Sequence, residues 1–399
     1  MVKIFTSCVL VLLIVACSPQ SSQTEAGATT EAALILGVEQ TERFLPLLAG
    51  KRVGLVVNQT SMLQQQHLVD YLVSQQITVQ RIFAPEHGFR GDHDAGAHVA
   101  AGVDTATGVE IYSIYGSSRK PSAAAMHDLD VVLFDIQDVG ARFYTYISSM
   151  HYMMEAASEH SIPFVVLDRP NPNGEFVDGP MLDEQFRSFV GMHRIPLLHG
   201  MTIGELAQMI LSEGWLNTAH PLELYVVPML NYRRDMRYDL PVRPSPNLPN
   251  YQSIRAYTSL CFFEATPVSE GRGTDFPFQV IGHPTLYVAD TEPPFSFTPR
   301  SIPGAASNPK FKDQQVFGQD LRHAPVEGLD LSYLISWYQV FAAAGEPFFT
   351  SAGFMDRLAG TDALRLAIEQ GLSEAEIKAG WQADLAAFKE QRAPYLLYP

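Results

Sequence analysis

The sequence predicts an α/β protein: a doubly wound, mostly parallel sheet, then a second, smaller α+β domain. Three observations carry this. First, the runs 52–58 (RVGLVVN), 79–84 (VQRIFA), 130–136 (DVVLFDI) and 162–167 (IPFVVL) are short, β-branched and almost continuously apolar. Strands apolar on both faces belong to parallel sheets covered by helices on each side. Second, helical patterns alternate with them, at 67–75, 122–127 and 145–160. A further helix starts at Thr202, whose spacing to Glu205 is that of a capping box, and runs to about Trp215. This alternation implies a Rossmann-like order of elements. Third, Arg243-Pro-Ser-Pro-Asn-Leu-Pro249 is too rich in proline for helix or central strand, so a boundary falls there. The expected domains are 34–245 and 246–399. The second mixes aromatic strands with helices, ending in another capping box at Ser373–Glu376 and a helix to about Gln391. No internal repeat is evident.

Residues 1–16 read as an address. Lys3 supplies a positive start, Val9–Val15 an apolar core too short to span a bilayer, and Ala16 a small residue before Cys17. Ile14-Val15-Ala16-Cys17 resembles a bacterial lipobox, with Cys17 as the lipidated residue. Ser18 does not resemble an inner-membrane retention signal. A periplasmic protein anchored to a membrane, the outer membrane in preference, is therefore expected. Residues 17–33, rich in Ser, Thr, Gln and Ala, read as a flexible tether. With Cys8 in the leader and Cys17 lipidated, Cys261 is left alone in an apolar run, as a buried and inert thiol.

Across 399 residues, 46% hydrophobic and 18% charged content describe a globular chain with a large core. The formal net charge of −16 argues against a nucleic-acid partner, whose phosphates call for a basic face. An anionic substrate would then need a local arginine.

Chemistry gathers where the predicted strands stop. Asn58 follows the first, Glu86 and His87 the second, Asp138 the third, and Asp168, Arg169 and Asn171 the fourth. Ligands of open α/β sheets bind at that edge. The loop after the second strand (PEHGFRGDHDA) is the densest, with Glu86, His87, Arg90 and Asp94 between glycines. Ser269-Glu-Gly-Arg-Gly-Thr274 is its counterpart in the second domain, bringing Glu270 and Arg272, with Glu264 nearby. Carboxylates facing each other across a cleft are what glycosidic hydrolysis requires. Arg142 and Tyr144, in the segment after the third strand, suit a carboxylate and a sugar ring. His87, His93 and His98 with Asp92 and Asp94 offer zinc ligands as an alternative, though not at the spacing of common zinc hydrolases. No G-x-S-x-G, P-loop or G-x-G-x-x-G occurs in the expected place, so no cofactor is implied.

These residues belong to longer motifs: GKRVGLVVNQTS, IFAPEHGFRGDHDAG, IYSIYG with RKP, VVLFDIQDVGARFYTYISSM, VVLDRPNPNG with VDGP, HGMTIGELA, RPSPNLPN, SEGRGT and YLLYP. Together they strongly resemble the exo-β-N-acetylmuramidases of glycoside hydrolase family 171, over nearly all of the chain beyond Leu34. The chain departs from the pattern near Ala265, Pro267 and His283. The resemblance implies release of terminal N-acetylmuramic acid from β-1,4-linked peptidoglycan fragments, at a site between the two domains. Glu86 then looks like the catalytic acid, with His87 and Glu270 beside it. The expected substrate contacts are Asn58, Arg90, Asp94, Asp138, Arg142, Tyr144, Asp168, Arg169, Asn171 and Arg272. One of the arginines 90, 142, 169 and 272 should grip the ionised lactyl group. The expected partners are muropeptides and disaccharides, and a membrane only through the lipid. A non-catalytic muropeptide-binding lipoprotein would use the same residue types.

Overall fold

The computed structural model describes Met1 and residues 32–90, 102–116, 118–288 and 292–399. The leader, Cys17 and Asp94, with Asp92, His93 and His98, lie outside them. Seven strands make the main sheet: Arg52–Val57 (β1), Thr78–Ala84 (β2), Gly102–Val103 (β3), Glu110–Ser113 (β4), Val131–Asp135 (β5), Phe164–Leu167 (β6) and Leu224–Val227 (β7). Their order is β7-β6-β5-β1-β2-β4-β3. All neighbours are parallel except the edge pair β3–β4.

The period of two along each strand builds two cores. Val53, Leu55, Val57, Val131, Leu133, Val165 and Leu167 face one side and pack with helices Thr41–Leu48 and Leu68–Ser74. Val56, Val132, Phe134, Phe164 and Val166 face the other, beneath helices Tyr146–Glu159 and Ile203–Ser212. This second core runs without a break into the C-terminal part, through Leu260, Phe262, Phe263, Trp337 and Phe341. Leu34–Pro399 is accordingly one compact unit.

The C-terminal part has an antiparallel sheet of Val280–His283 (β8), Phe295–Phe297 (β9) and Val316–Asp320 (β10), with β10 in the middle. Helices surround it, from Tyr251–Leu260 to Gln382–Arg392. The last residues return to the main sheet, where the Tyr398 hydroxyl donates to Asp168 Oδ2 at 2.5 Å.

Both capping boxes form, at Thr202/Glu205 and Ser373/Glu376. The helix starting at Ile203 stops at Ser212, ahead of Trp215. The one opened by Ser373 stops at Ala379, and a separate helix begins at Gln382 after Gly380 and Trp381.

The chain leaves β1 toward β2 and β4, then returns to the other side of β1 as β5. Such a switch point is the usual place for a ligand, but here polar cross-links fill it. Arg169 grips Asp135 with two bonds of 2.5 and 2.8 Å, and Ser61 Oγ donates to the Asp135 carbonyl. Asn58 Oδ1 accepts from Thr60 twice, at 2.9 and 2.6 Å, and is fully buried. The open space lies one strand further on, beyond β2 and β4.

Arg142 joins the two parts of the molecule. Its buried guanidinium donates to the carbonyls of Pro180 and Ile195 at 2.8 Å, of Ala359 at 2.5 Å and of Leu358 at 3.4 Å. Burial without a carboxylate lowers it to about 9, so it remains charged at neutral pH. Arg142→Leu takes the guanidinium from the Pro180, Leu358 and Ala359 carbonyls, each at a cost of about 1–3 kcal/mol, while Ile195 keeps the Leu182 amide. We expect a loss of at least about 3 kcal/mol in urea denaturation. A loss below about 1 kcal/mol would mean that water replaces the guanidinium.

Candidate active site

A cavity of about 680 Å³ opens between the carboxyl edge of β2 and β4 and the C-terminal part. Glu86 reaches it because of how β2 ends. Pro85 stops the ladder, and the chain reverses through two left-handed residues, His87 (φ 69°) and Gly88 (φ 80°). The left-handed region costs a non-glycine residue about 1–2 kcal/mol. His87 is held there by burial and by Ser245, whose Oγ lies 3.2 Å from its Nε2.

Glu86 is half-buried, and both of its carboxyl oxygens accept hydroxyl bonds. Tyr115, just past β4, donates to Oε1 at 2.8 Å, and Thr145, before the long helix, donates to Oε2 at 2.9 Å. The Tyr146 hydroxyl lies 3.4 Å from the Glu86 carbonyl. Burial and the nearby Glu86 push the Tyr115 phenol well above its usual range, so it stays a donor. Two segments far apart in sequence therefore fix one carboxyl group.

The facing wall is an ion-pair network. Arg272 donates to Glu264 Oε1 at 2.6 Å, lies 3.4 Å from Glu270 Oε1, and sits over the Phe278 ring. Its charge is reinforced by Glu264 and Glu270 against the cost of burial. Lys310 binds Glu270 Oε2 at 3.0 Å and the carbonyls of Phe263 and Val268. The glycines flanking Arg272 are required: Gly271 (φ 79°) and Gly273 (φ 80°) are left-handed, and a Cβ on Gly273 would meet Pro309 Cγ at 2.5 Å. Such contacts pack this loop closely against Pro309, Arg300 and Val280. Phe143, Tyr144, Phe189 and Tyr257 give the cavity apolar sides, and the Tyr144 hydroxyl is held by the Pro244 carbonyl at 2.7 Å. Buried Cys261 also touches the cavity, its thiol pushed well up by burial.

Of the residues singled out from sequence, Glu86, His87, Tyr144, Glu264, Glu270 and Arg272 come together here. Asn58, Asp138, Arg142, Asp168, Arg169 and Asn171 do not line the cavity; they are buried, and most of their polar atoms are bonded within the fold. Asp168 accepts from Tyr398, Thr202, Gly204 and the Arg169 amide. Asn171 Nδ2 donates to the Met201 carbonyl and its Oδ1 accepts from the Asn173 amide. Arg90 pairs with Asp104 at 3.0 Å and borders a different groove, with Gln59 and Arg243. Among the described residues no group of three His, Cys, Asp or Glu side chains could hold a metal. Sequence reasoning missed Tyr115, Arg119, Thr145, Ser245 and Lys310. The available signal for the first two was the run EIYSIYG, a fifth strand end at the same sheet edge.

A Rossmann-like sheet with an acid-bearing cavity against a smaller domain is a frame that many chemistries use; the matches to known proteins place this chain among the glycoside hydrolases. More narrowly, it belongs to the exo-β-N-acetylmuramidase NamZ family, whose N-terminal model matches residues 53–252 and whose C-terminal model matches 255–398. The chain is 40% identical over 373 residues to the peptidoglycan β-N-acetylmuramidase NamZ of Bacillus subtilis, covering 88% of each. Two crystal structures of DUF1343 family proteins from Bacteroides fragilis share the fold. One has a TM-score of 0.84 and 45% identity, the other 0.80 and 28%, and each comparison covers 92% of this chain and 99% of the other.

Asp138 generates a pH prediction. Burial raises its carboxyl to about 7; Oδ2 accepts from the Gly140 amide at 2.7 Å, and Oδ1 is buried without a hydrogen-bond partner. The folded protein thus keeps a proton that the unfolded chain releases near 3.8. This group's contribution is fully present below that value and is lost as pH rises toward about 7. Asp138→Asn keeps an acceptor for Gly140 and removes the titration. Its stability relative to wild type should rise by a few kcal/mol, on the order of one per pH unit, between about pH 4 and 7. An unchanged difference across that range in urea titrations would show that Asp138 is charged in the fold.

Proposed function

We propose that the cavity takes a terminal N-acetylmuramic acid residue of a peptidoglycan fragment, that Glu86 protonates the departing oxygen of its β-1,4 bond, and that water supplies the hydroxyl that replaces it at the anomeric carbon. The observation that carries this is the placement of Glu86 at the end of a buried strand, with each carboxyl oxygen fixed by a hydroxyl from a different segment. A departing sugar oxygen needs a proton in the transition state, and an acid fixed in orientation delivers it most effectively. His87 acts through the backbone, as a positioning residue that holds the reversal behind Glu86. Glu270, with Arg272 on one oxygen and Lys310 on the other, positions those two cations. The protein is in this reading an exo-acting glycosidase of cell-wall turnover, and membership of the muramidase family supports it.

Glu86→Gln should keep the fold and lower kcat on a chromogenic N-acetylmuramic acid glycoside by about 10²–10⁴. Tyr115→Phe removes one of the two clasps and should lower kcat about ten-fold with little change in KM. Wild-type turnover in the Gln variant would remove Glu86 from the reaction. A protein that binds reduced-end disaccharides without releasing muramic acid would be a binding lipoprotein instead.

The lipobox-like Ile14–Cys17, followed by Ser18, supports a lipid anchor that holds this enzyme in the periplasm, at the outer membrane in preference. Cys17→Ala should move the protein from the membrane to the soluble periplasmic fraction. If it stays with the membrane, or if mass spectrometry finds no acyl group on Cys17, the anchor is refuted.

A further inference from the structure

The substrate proposed above differs from a glucosamine glycoside by a lactyl ether at C3, ionised at neutral pH. The four arginines that the sequence offered for this anion are all committed. Arg142 holds backbone carbonyls, Arg169 holds Asp135, Arg90 pairs with Asp104 beside a different groove, and Arg272 is bound to Glu264 and Glu270. Lys310, the remaining amine on the cavity, is spent on Glu270 and two carbonyls.

Arg119 is different. It lines the same cavity, it is exposed, and among the described residues no carboxylate pairs with it. Its position is nevertheless built. The guanidinium lies over the Phe189 ring, 4.3 Å from the centroid, and Phe189 stacks on Tyr152 of the long helix. The next residue, Lys120, is tied to that helix at both Glu155 (3.3 Å) and Glu159 (2.6 Å). The Arg119 charge is felt at the Tyr115 phenol, which itself donates to Glu86. A cation is thus fixed to one side of the catalytic acid, with an aromatic face behind it and its donors unspent on any carboxylate.

We propose that Arg119 is the residue that reads the substrate's lactyl carboxylate, and so sets the preference for muramic acid over glucosamine. This rests on the reading of the cavity as a muramidase site. With the glycosidic oxygen at Glu86, the lactyl group at C3 projects from the same ring, and a guanidinium stacked on Phe189 presents its fork edge-on to a carboxylate. The chain's net charge of −16 repels such an anion from afar, so recognition falls to a close donor.

The test compares kcat/KM on three chromogenic glycosides: N-acetylmuramic acid, the same sugar with its lactyl carboxylate converted to an amide, and N-acetylglucosamine. Wild type should prefer the acid to both others. In Arg119→Gln the acid-to-amide ratio should fall ten-fold or more, chiefly through KM. Arg119→Lys should fall between, because an ammonium keeps the charge and lacks the fork. Arg237→Gln, at an exposed arginine that does not line the cavity, should keep the wild-type ratio. Thermal melting checks that the Arg119 variants are folded. An active Arg119→Gln protein with the wild-type acid-to-amide ratio would overturn the inference while leaving the muramidase reading intact. A wild-type protein inactive on the muramic acid glycoside would overturn that reading, and this inference with it.

Discussion

The segment from Gln137 to Tyr146, pinned by the buried guanidinium of Arg142, is what the rest of the site depends on. The segment leaves β5 and must turn into the long helix while crossing the boundary between the two parts of the chain. Arg142 binds it to Pro180 and Ile195 on one side and to Leu358 and Ala359 on the other. Once it is fixed, the next residues fall into place. Phe143 packs edge-on against Tyr257 and Phe262, Tyr144 reaches Pro244, and Thr145 reaches Glu86. A long cationic side chain suits this role because it satisfies several converging carbonyls at once, which no apolar residue can do. The penalty of burying its charge appears in its lowered pKa of about 9.

The same logic explains why polar residues at the sheet edge are not all functional. Every strand of a parallel sheet ends with carbonyls and amides that need partners where helices no longer cover them. At β1, β5 and β6 the sequence supplies Asn58, Ser61, Asp135, Asp168 and Arg169, and these satisfy one another. At β2 and β4 the groups instead converge on Glu86 from outside its own loop. A polar strand end is therefore the general condition, and the acid proposed for catalysis is set apart by donors from other segments aimed at it.

This distinction decides what could be read from sequence. The four strands buried on both faces were legible because a short, continuous, β-branched apolar run fits a covered parallel strand and little else, and the helices between them followed. Glu110–Ser113 and Leu224–Val227 were not singled out; they lie toward the sheet edges and are half-exposed, although Leu224–Val227 is as apolar as the inner strands. The place of Glu86 on the cavity was legible because a glutamate in a glycine-bearing loop, directly after a buried strand, has few structural uses. The arginines were legible as a type and not as individuals. Sequence shows that Arg142 and Arg169 stand near strand ends, but only the fold reveals four carbonyls around one and Asp135 against the other. Tyr115 and Arg119 stayed hidden with the strand that carries them.

The cavity's charge distribution follows from the same accounting. Glu264 and Glu270 against Arg272 and Lys310 make a wall whose charges cancel and whose donors are spent on each other and on carbonyls. Such a wall gives shape and a fixed dipole pattern without a strong net field. A polar wall of this kind suits the uncharged part of the proposed sugar, whose hydroxyl and acetamido groups need local partners rather than net charge. In the proposed reading Glu86 acts against a nearly balanced background, so an uncompensated cation at the rim would have a large relative effect on an incoming anion. Within a few ångströms, one guanidinium outweighs the diffuse repulsion of a chain carrying −16, because salt screens the distant charges over about 8–10 Å and not the near one. An acidic protein can in this way admit an anionic sugar: selectivity requires one positioned charge, and the rest of the wall must stay neutral for that charge to decide.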